Sequence, residues 1–374
     1  MRILHTADWH LGQTFYDNDR TLEHEFFLNW LLEVIDREQV DAVLVSGDVY
    51  DNSNPSNKAI GMLYGFMQRL SRDFPEVQLI FTGGNHDSAL RLEQPIPLLE
   101  DTSVRIVGSS KMSADKTIRY EDLIVRLRGK NGDNDVLCMA VPFLRLGDYP
   151  LTDAGTYDYE VGVKAYYKAC FEAAKKLALA GEPIIAMGHL HARGIKLDAR
   201  DTAERDIIGG IEMLSASDFP AELTYVALGH IHKAQRVGGL DHVRYCGSPI
   251  PLSFSEKDYK HQVLLVTISD KLEEVKSIEI PKTTQLIQVP NKPLPFDLVM
   301  QALDDLQVKL QDETITTFVE VLVDVTQMTP NFTELIKEKF NFIQGKLVKI
   351  TPAKLLDTQI EESDEPGFEY LDQV

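Results

Sequence analysis

The chain has 374 residues, 44% hydrophobic and 26% charged, with 38 Lys and Arg against 58 Asp and Glu and a formal net charge of −20. This composition excludes a disordered, collagenous or low-complexity chain, and no apolar run reaches the ~18 residues of a membrane span. Three scattered cysteines outside any C-x-x-C pattern fit neither a disulfide framework nor a thiolate metal site, and polar Asp8 and His10 interrupt any secretory h-region, so a cytoplasmic protein is expected.

In chain order, short apolar runs alternate with longer amphipathic ones, the pattern of sheets covered by helices. Strands are predicted over Ile3–Thr6, Ala42–Ser46, Val77–Thr82, Val136–Val141, Pro183–Met187 and Thr224–Leu228, then Val243–Cys246 and Gln262–Ile268. Packing helices are predicted over Leu22–Ile35 and Tyr157–Leu179. A proline-rich passage from Pro281 to Pro295 then leads to a unit that reads β-α-β-α-β: Gln285–Val289, Phe296–Leu306, Phe318–Val325, Phe332–Phe340 and Lys346–Ile350. The expected division is therefore a main domain over 1–280, a small αβ domain over 281–356 and a solvated acidic tail over 357–374, which holds seven carboxylates and no Lys or Arg.

Metal-capable residues follow nearly every strand of the main domain. Asp8 and His10 follow the first, Asp48 and Asp51 the second, Asn85, His86 and Asp87 the third, His189 and His191 the fifth, and His230 and His232 the sixth. Sites on open α/β sheets gather beyond the carboxyl ends of strands, so residues more than 220 positions apart can converge there. Carboxylates and imidazoles together suit Mn, Fe or Zn in a two-metal hydrolytic centre, and Asp48, on the Gly47 turn, is the candidate to bridge. Such a centre activates water near neutral pH and clamps a phosphate for in-line attack, which implies phosphoester hydrolysis. His86 is a candidate to stabilise the transition state or protonate the leaving oxygen, while Asp51 or Asp87 can orient an imidazole. The acidic balance excludes attraction of nucleic acid by overall charge; cations bound locally are the natural source of it.

The segments HTADWHLG at 5–12, GDVYD at 47–51, GNHD at 84–87, GH at 188–189 and GHIH at 229–232 resemble, in that order, the calcineurin-like metallophosphoesterases. HTADWHLG resembles in particular the SbcD-type break-repair nucleases, and the small αβ unit resembles their capping domain. The resemblance implies an α/β fold of two facing β-sheets flanked by helices. It implies that Asp8, His10 and His232 hold one metal, that Asn85, His189 and His230 hold another, that Asp48 bridges, and that His86 is the catalytic imidazole. It further implies Mn²⁺-dependent cleavage of DNA, as an exonuclease on double-stranded ends and an endonuclease on single strands and hairpins. The implied partners are an SbcC-type coiled-coil ATPase and a second copy of the chain.

Blander readings stand beside these. Trp9 either stacks on a base or packs beneath the metal loop, and His191 either contacts substrate, supports a ligand or belongs to a plain loop. His5 lies on the first strand, and His24, His242 and His261 read as surface or structural histidines. A phosphoesterase for small phosphodiesters or phosphoproteins, and an idle DNA-end scaffold, are the competing functions. A narrow rather than broad cleft would favour the former, and loss of the ligand set the latter.

Overall fold

The computed structural model describes residues 1–115, 117–130, 134–152, 154–195, 214–311, 313–326 and 330–353; the tail expected over 357–374 lies outside them. The chain divides into two compact units, Met1–Thr284 and Gln285–Val374.

Strict alternation along the strands of the first unit builds two six-stranded sheets. One runs Leu272–Glu279, Gln262–Ile268, Arg2–Thr6, Ala42–Ser46, Gln78–Thr82, Val104–Val107 from edge to edge; the other runs Gln235–Val237, Leu240–Tyr245, Tyr225–Gly229, Ile184–His189, Val136–Ala140, Ile124–Leu127. In the first sheet Ile3, Leu44 and Ile80 point into a core shared with Cys138, Ile185, Met187 and Ala227 of the second. Their neighbours Leu4, Val43, Val45, Leu79 and Phe81 point the other way, onto Phe27, Leu31, Leu63 and Phe66 of helices Thr21–Arg37 and Asn57–Asp73. Met139, Ala186, Val226 and Leu228 likewise turn outward to Tyr166, Tyr167, Cys170 and Phe171 of helix Tyr159–Leu177. A period of two that is apolar on both faces is what a strand needs when it is covered on both sides. The result is two facing sheets with helices outside, as the resemblance implies.

Within each sheet the strands that lead to the metal-capable residues run parallel. Arg2–Thr6, Ala42–Ser46 and Gln78–Thr82 are parallel neighbours, as are Ile184–His189 and Tyr225–Gly229. Their carboxyl ends therefore open together, and that alignment gathers distant parts of the chain. The three cysteines are buried and free. Among the described residues no helix is long and apolar enough to cross a membrane.

Several elements differ from the sequence expectation. Helix Asn57–Asp73, capped by the Ser56 hydroxyl accepting from Ala59 N at 3.2 Å, follows the metal loop where the sequence pattern predicts none. Edge strands Val104–Val107, Ile124–Leu127 and Leu272–Glu279 are also additional; edge strands carry polar positions that blur the alternation.

The second unit is a three-stranded sheet, Thr284–Leu294, Thr316–Asp324, Lys346–Ala353, with helices Phe296–Lys309 and Phe332–Phe340. Val319, Val321 and Val323 of the central strand pack with Val299, Leu303, Leu306 and Ile336 of the helices. The passage from Pro281 to Pro295 is mostly strand rather than connection. Its prolines are tolerated because that strand is an edge, where missing N–H donors cost the ladder little.

Candidate metal centre

Backbone strain marks the place first. Asp8, His10, Asp48 and His230 all adopt positive φ, at 54°, 45°, 46° and 96°. Each such non-glycine residue costs on the order of 1–3 kcal/mol and persists only where surrounding structure enforces it. Here the loop after the first strand is pinned to the loop after the second: Asp8 N donates to Gly47 O at 3.1 Å, His10 N to Asp48 O at 3.0 Å and Leu11 N to Val49 O at 3.0 Å. Gly47, itself at φ +85°, leaves the space that His189 fills, since a Cβ there would lie 2.1 Å from His189 Nδ1. Gly84 does the same for Asp48, whose Oδ1 would lie 2.1 Å from an added Cβ.

On this frame the side chains form two groups. Asp8, His10 and His232 present ligand atoms within 4.8 Å of one another, and so do Asp48, His189 and His230. The Asn85 Oδ1 joins the second group, 2.9 Å from His189 Nε2 and 2.9 Å from His230 Nδ1. Asp48 faces both, with Oδ2 3.2 Å from His189 Nε2 and 3.6 Å from His10 Nε2. Its other oxygen accepts from His86 N at 2.9 Å, while Asp8 Oδ1 accepts from His230 N at 2.7 Å. The remaining carboxylate oxygen of Asp8 and Nε2 of His10 are buried with no hydrogen-bond partner. Buried polar atoms left in this way are rare in folded proteins, and these two lie where a cation of the first group would take them. The donor set of oxygen and imidazole nitrogen fits a divalent metal.

The electrostatics agree. Burial raises the Asp8 carboxyl above its usual range. Burial also opposes ionisation of Asp48, yet the imidazoles of His189, His10 and His86 hold it below the usual range. Burial works against a charged His189, but Asp48 and Asp8 win and raise it to about 9. His189 Nδ1 donates to Ser46 O at 2.9 Å, which leaves Nε2 as the nitrogen that would hold a cation in place of its proton. His230, by contrast, is lowered by burial and by neighbouring His189 and His191.

The other predicted residues occupy distinct places. His86 is exposed at the rim, its ring 4.9 Å from that of His10 and its Nδ1 donating to Asp51 O at 2.8 Å. Asp51 Oδ1 lies 3.4 Å from His10 Nδ1. Asp87 does not orient an imidazole: its carboxylate accepts backbone N–H groups of Val49, Tyr50 and Gly84 at 3.1, 2.9 and 2.9 Å, locking the two loops together. His191 packs edge-on against His230, ring centroids 4.3 Å apart. Trp9 is fully buried, edge-on to Phe27, Phe66 and Phe81, with Nε1 donating to Thr6 Oγ1 at 2.9 Å, so it packs beneath the loop and stacks on no base. His5 is buried between Tyr225 Oη and Leu228 O, at 2.9 and 3.2 Å.

Two residues escaped the sequence reading. Glu256 is buried, accepts from His232 Nδ1 at 3.1 Å and is held by Leu252 N at 2.9 Å and Ser248 Oγ at 3.2 Å. Arg145 donates to Asn85 O at 3.3 Å and Asp87 O at 3.2 Å and lies over the Phe143 ring. Glu256 lies ten residues past the predicted strand Val243–Cys246, and Arg145 follows Val136–Val141, a strand to which the sequence pattern assigns no ligand candidate, so no spacing announced them.

The calcineurin-like phosphoesterase family profile matches residues 1–234. The chain is 40% identical over 294 residues to the SbcD component of the SbcCD nuclease of Escherichia coli K12, covering 76% of this chain and 69% of that protein. It is 37% identical over 314 residues to the component of the same name from Rhodobacter capsulatus, covering 82% and 76%. With that of Bacillus subtilis it shares 30% identity over 272 residues, covering 71% and 66%. The ordered loops, their shared carboxylate and these relatives together place the chain in the calcineurin-like phosphoesterase family, among its SbcD nucleases.

Proposed function

We propose that this chain hydrolyses DNA phosphodiester bonds with two divalent cations and serves as the nuclease component of an SbcCD-type assembly alongside a coiled-coil ATPase. The observation that carries this reading is Asp48, whose carboxylate faces both ligand groups while Asp8 Oδ2 and His10 Nε2 lie buried without hydrogen-bond partners. Asp8, His10 and His232 would hold one cation and Asn85, His189 and His230 the other, with Asp48 between them. Manganese is the cation assigned, as the resemblance to SbcD-type nucleases implies, and the carboxylate, amide and imidazole set is compatible with it. Cations bound there supply the Lewis acidity that activates water and neutralises a scissile phosphate.

The rest falls to side chains. Glu256 accepts the Nδ1 proton of His232 and Ser46 O that of His189, so each ring keeps one nitrogen for the centre. His86, tethered through Nδ1 to Asp51 O, keeps Nε2 to carry a proton to the leaving oxygen. Arg145, held by two carbonyls, brings a permanent cation to the rim for a flanking phosphate. Such local cations matter because the chain's overall charge of −20 repels DNA. The second unit is assigned the role of capping domain. A homodimer belongs to the same reading: Leu22 and Phe26 on helix Thr21–Arg37 are 81% and 39% exposed, beside a groove that reaches Met62 and Phe66 on the next helix.

With Mn²⁺ the full chain should degrade a blunt duplex and nick hairpins and single strands. A folded, metal-loaded chain that leaves DNA intact but turns over an aryl phosphodiester overturns the DNA assignment in favour of a small-substrate phosphoesterase.

A further inference from the structure

Strand Gln78–Thr82 ends at the metal-ligand loop; at its other end, about 13 Å of strand away, the first unit holds a cleft of ≈ 780 Å³. Gln78, Thr102, Ser103, Arg105, Arg128 and Lys130 line it, with half-buried Val125, packed against the inter-sheet core, contributing apolar surface. Its volume lies within the range of small-ligand sites.

Its charge runs against the rest of the molecule. Four cations and one carboxylate, Glu76, line a cleft in a chain of net charge −20. Arg126 is matched by Glu182, 3.1 Å away. Arg105, Arg128 and Lys130 form no ion pair with a carboxylate among the described residues. Arg105 Nη1 donates to Thr102 O and Val104 O at 3.0 and 2.8 Å, and Lys130 Nζ to Val40 O at 2.8 Å. Carbonyl partners position a cation without neutralising it. Gln78 clamps the Arg128 backbone in both directions, accepting from its N–H at 3.0 Å and donating to its carbonyl at 3.0 Å, so part of the wall is set before any ligand arrives. The hydroxyls of Thr102 and Ser103 donate to Leu99 O and Pro75 O at 2.8 and 2.9 Å and hold the facing wall in place.

We propose that this cleft binds a phosphate chain of nucleotide size, at a site separate from the metal centre. Arg105, Arg128 and Lys130 take the phosphates, and half-buried Val125 offers an apolar contact to an attached base. The proposal stands apart from the nuclease reading, since it uses none of that site's residues.

Calorimetric titration of the metal-free full chain with tripolyphosphate and, separately, with ATP tests it. Saturable binding at one site per chain is expected, weakened about tenfold or more by the R105E/R128E double variant and unchanged by D48N. Both variants are checked for unaltered melting, and R105E/R128E should cleave DNA as the parent does. Tighter binding of ATP than of tripolyphosphate identifies a nucleotide as the source; equal binding identifies the phosphate chain alone. Absence of saturable binding, equal affinity in R105E/R128E, or loss of binding in D48N overturns the proposal.

Discussion

At the scale of single residues, the side chains that touch no cation are the ones whose roles can be separated. His86 donates through Nδ1 to a carbonyl and lies outside both ligand groups, so His86→Ser should lower the cleavage rate by about 10²–10⁴ while leaving metal stoichiometry unchanged. Metal titration beside single-turnover kinetics checks both halves. Glu256 acts through His232, so Glu256→Gln should weaken metal binding by about 10–100-fold, read by competition with a chelating dye. His5 supplies a test in pH. Burial lowers its pKa from 6.5 to about 3, so between those values the unfolded chain binds a proton that the folded chain refuses. Stability from this group therefore falls as pH drops below 6.5, by about 2 kcal/mol between about pH 7 and about pH 5. Denaturant titrations of His5→Gln should show that slope reduced by about one proton.

At the scale of elements, one residue of the metal loop ties three elements together. Trp9 meets Phe27 of helix Thr21–Arg37, Phe66 of helix Asn57–Asp73 and Phe81 of strand Gln78–Thr82. Trp9→Ala should cost about 3–5 kcal/mol of stability and weaken metal binding with it, whereas Trp9→Phe should retain most of both. If Trp9→Ala altered DNA affinity alone, with melting unchanged, its place beneath the loop would be wrong. The turn at the end of Ala42–Ser46 is equally exacting: Gly47→Ala puts a methyl 2.1 Å from His189 Nδ1 on backbone at φ +85°. The strand predictions succeeded on the same physics. Ala42–Ser46 and Gln262–Ile268 match their expected bounds because both faces are covered and the run of buried residues is unbroken or nearly so. Helix Asn57–Asp73 was missed because its short run of five buried residues sits among Gly61, Gly65 and polar positions.

At the scale of the molecule, the centre draws on loops from both sheets, so a bound cation should bind the folded chain alone. Saturating Mn²⁺ should raise the melting temperature, by an amount that corresponds to about 2.7 kcal/mol at a hundredfold excess over Kd, and EDTA should reverse it. Asp48→Asn should abolish most of that gain, because Asp48 is the carboxylate facing both groups. The sequence by itself determined the central strands, the α/β character and the order of metal-capable residues, because alternation and residues at strand ends are local properties of a chain. It also carried the αβ pattern of the second unit, where Phe332–Phe340 is predicted to the residue. Tertiary structure alone decided that Asp48 faces both groups, that Asp87 binds backbone, that Trp9 is core and that Glu256 orients His232. These are matters of direction and distance between segments brought together by the two facing sheets, and no spacing along a chain encodes which way a buried side chain turns.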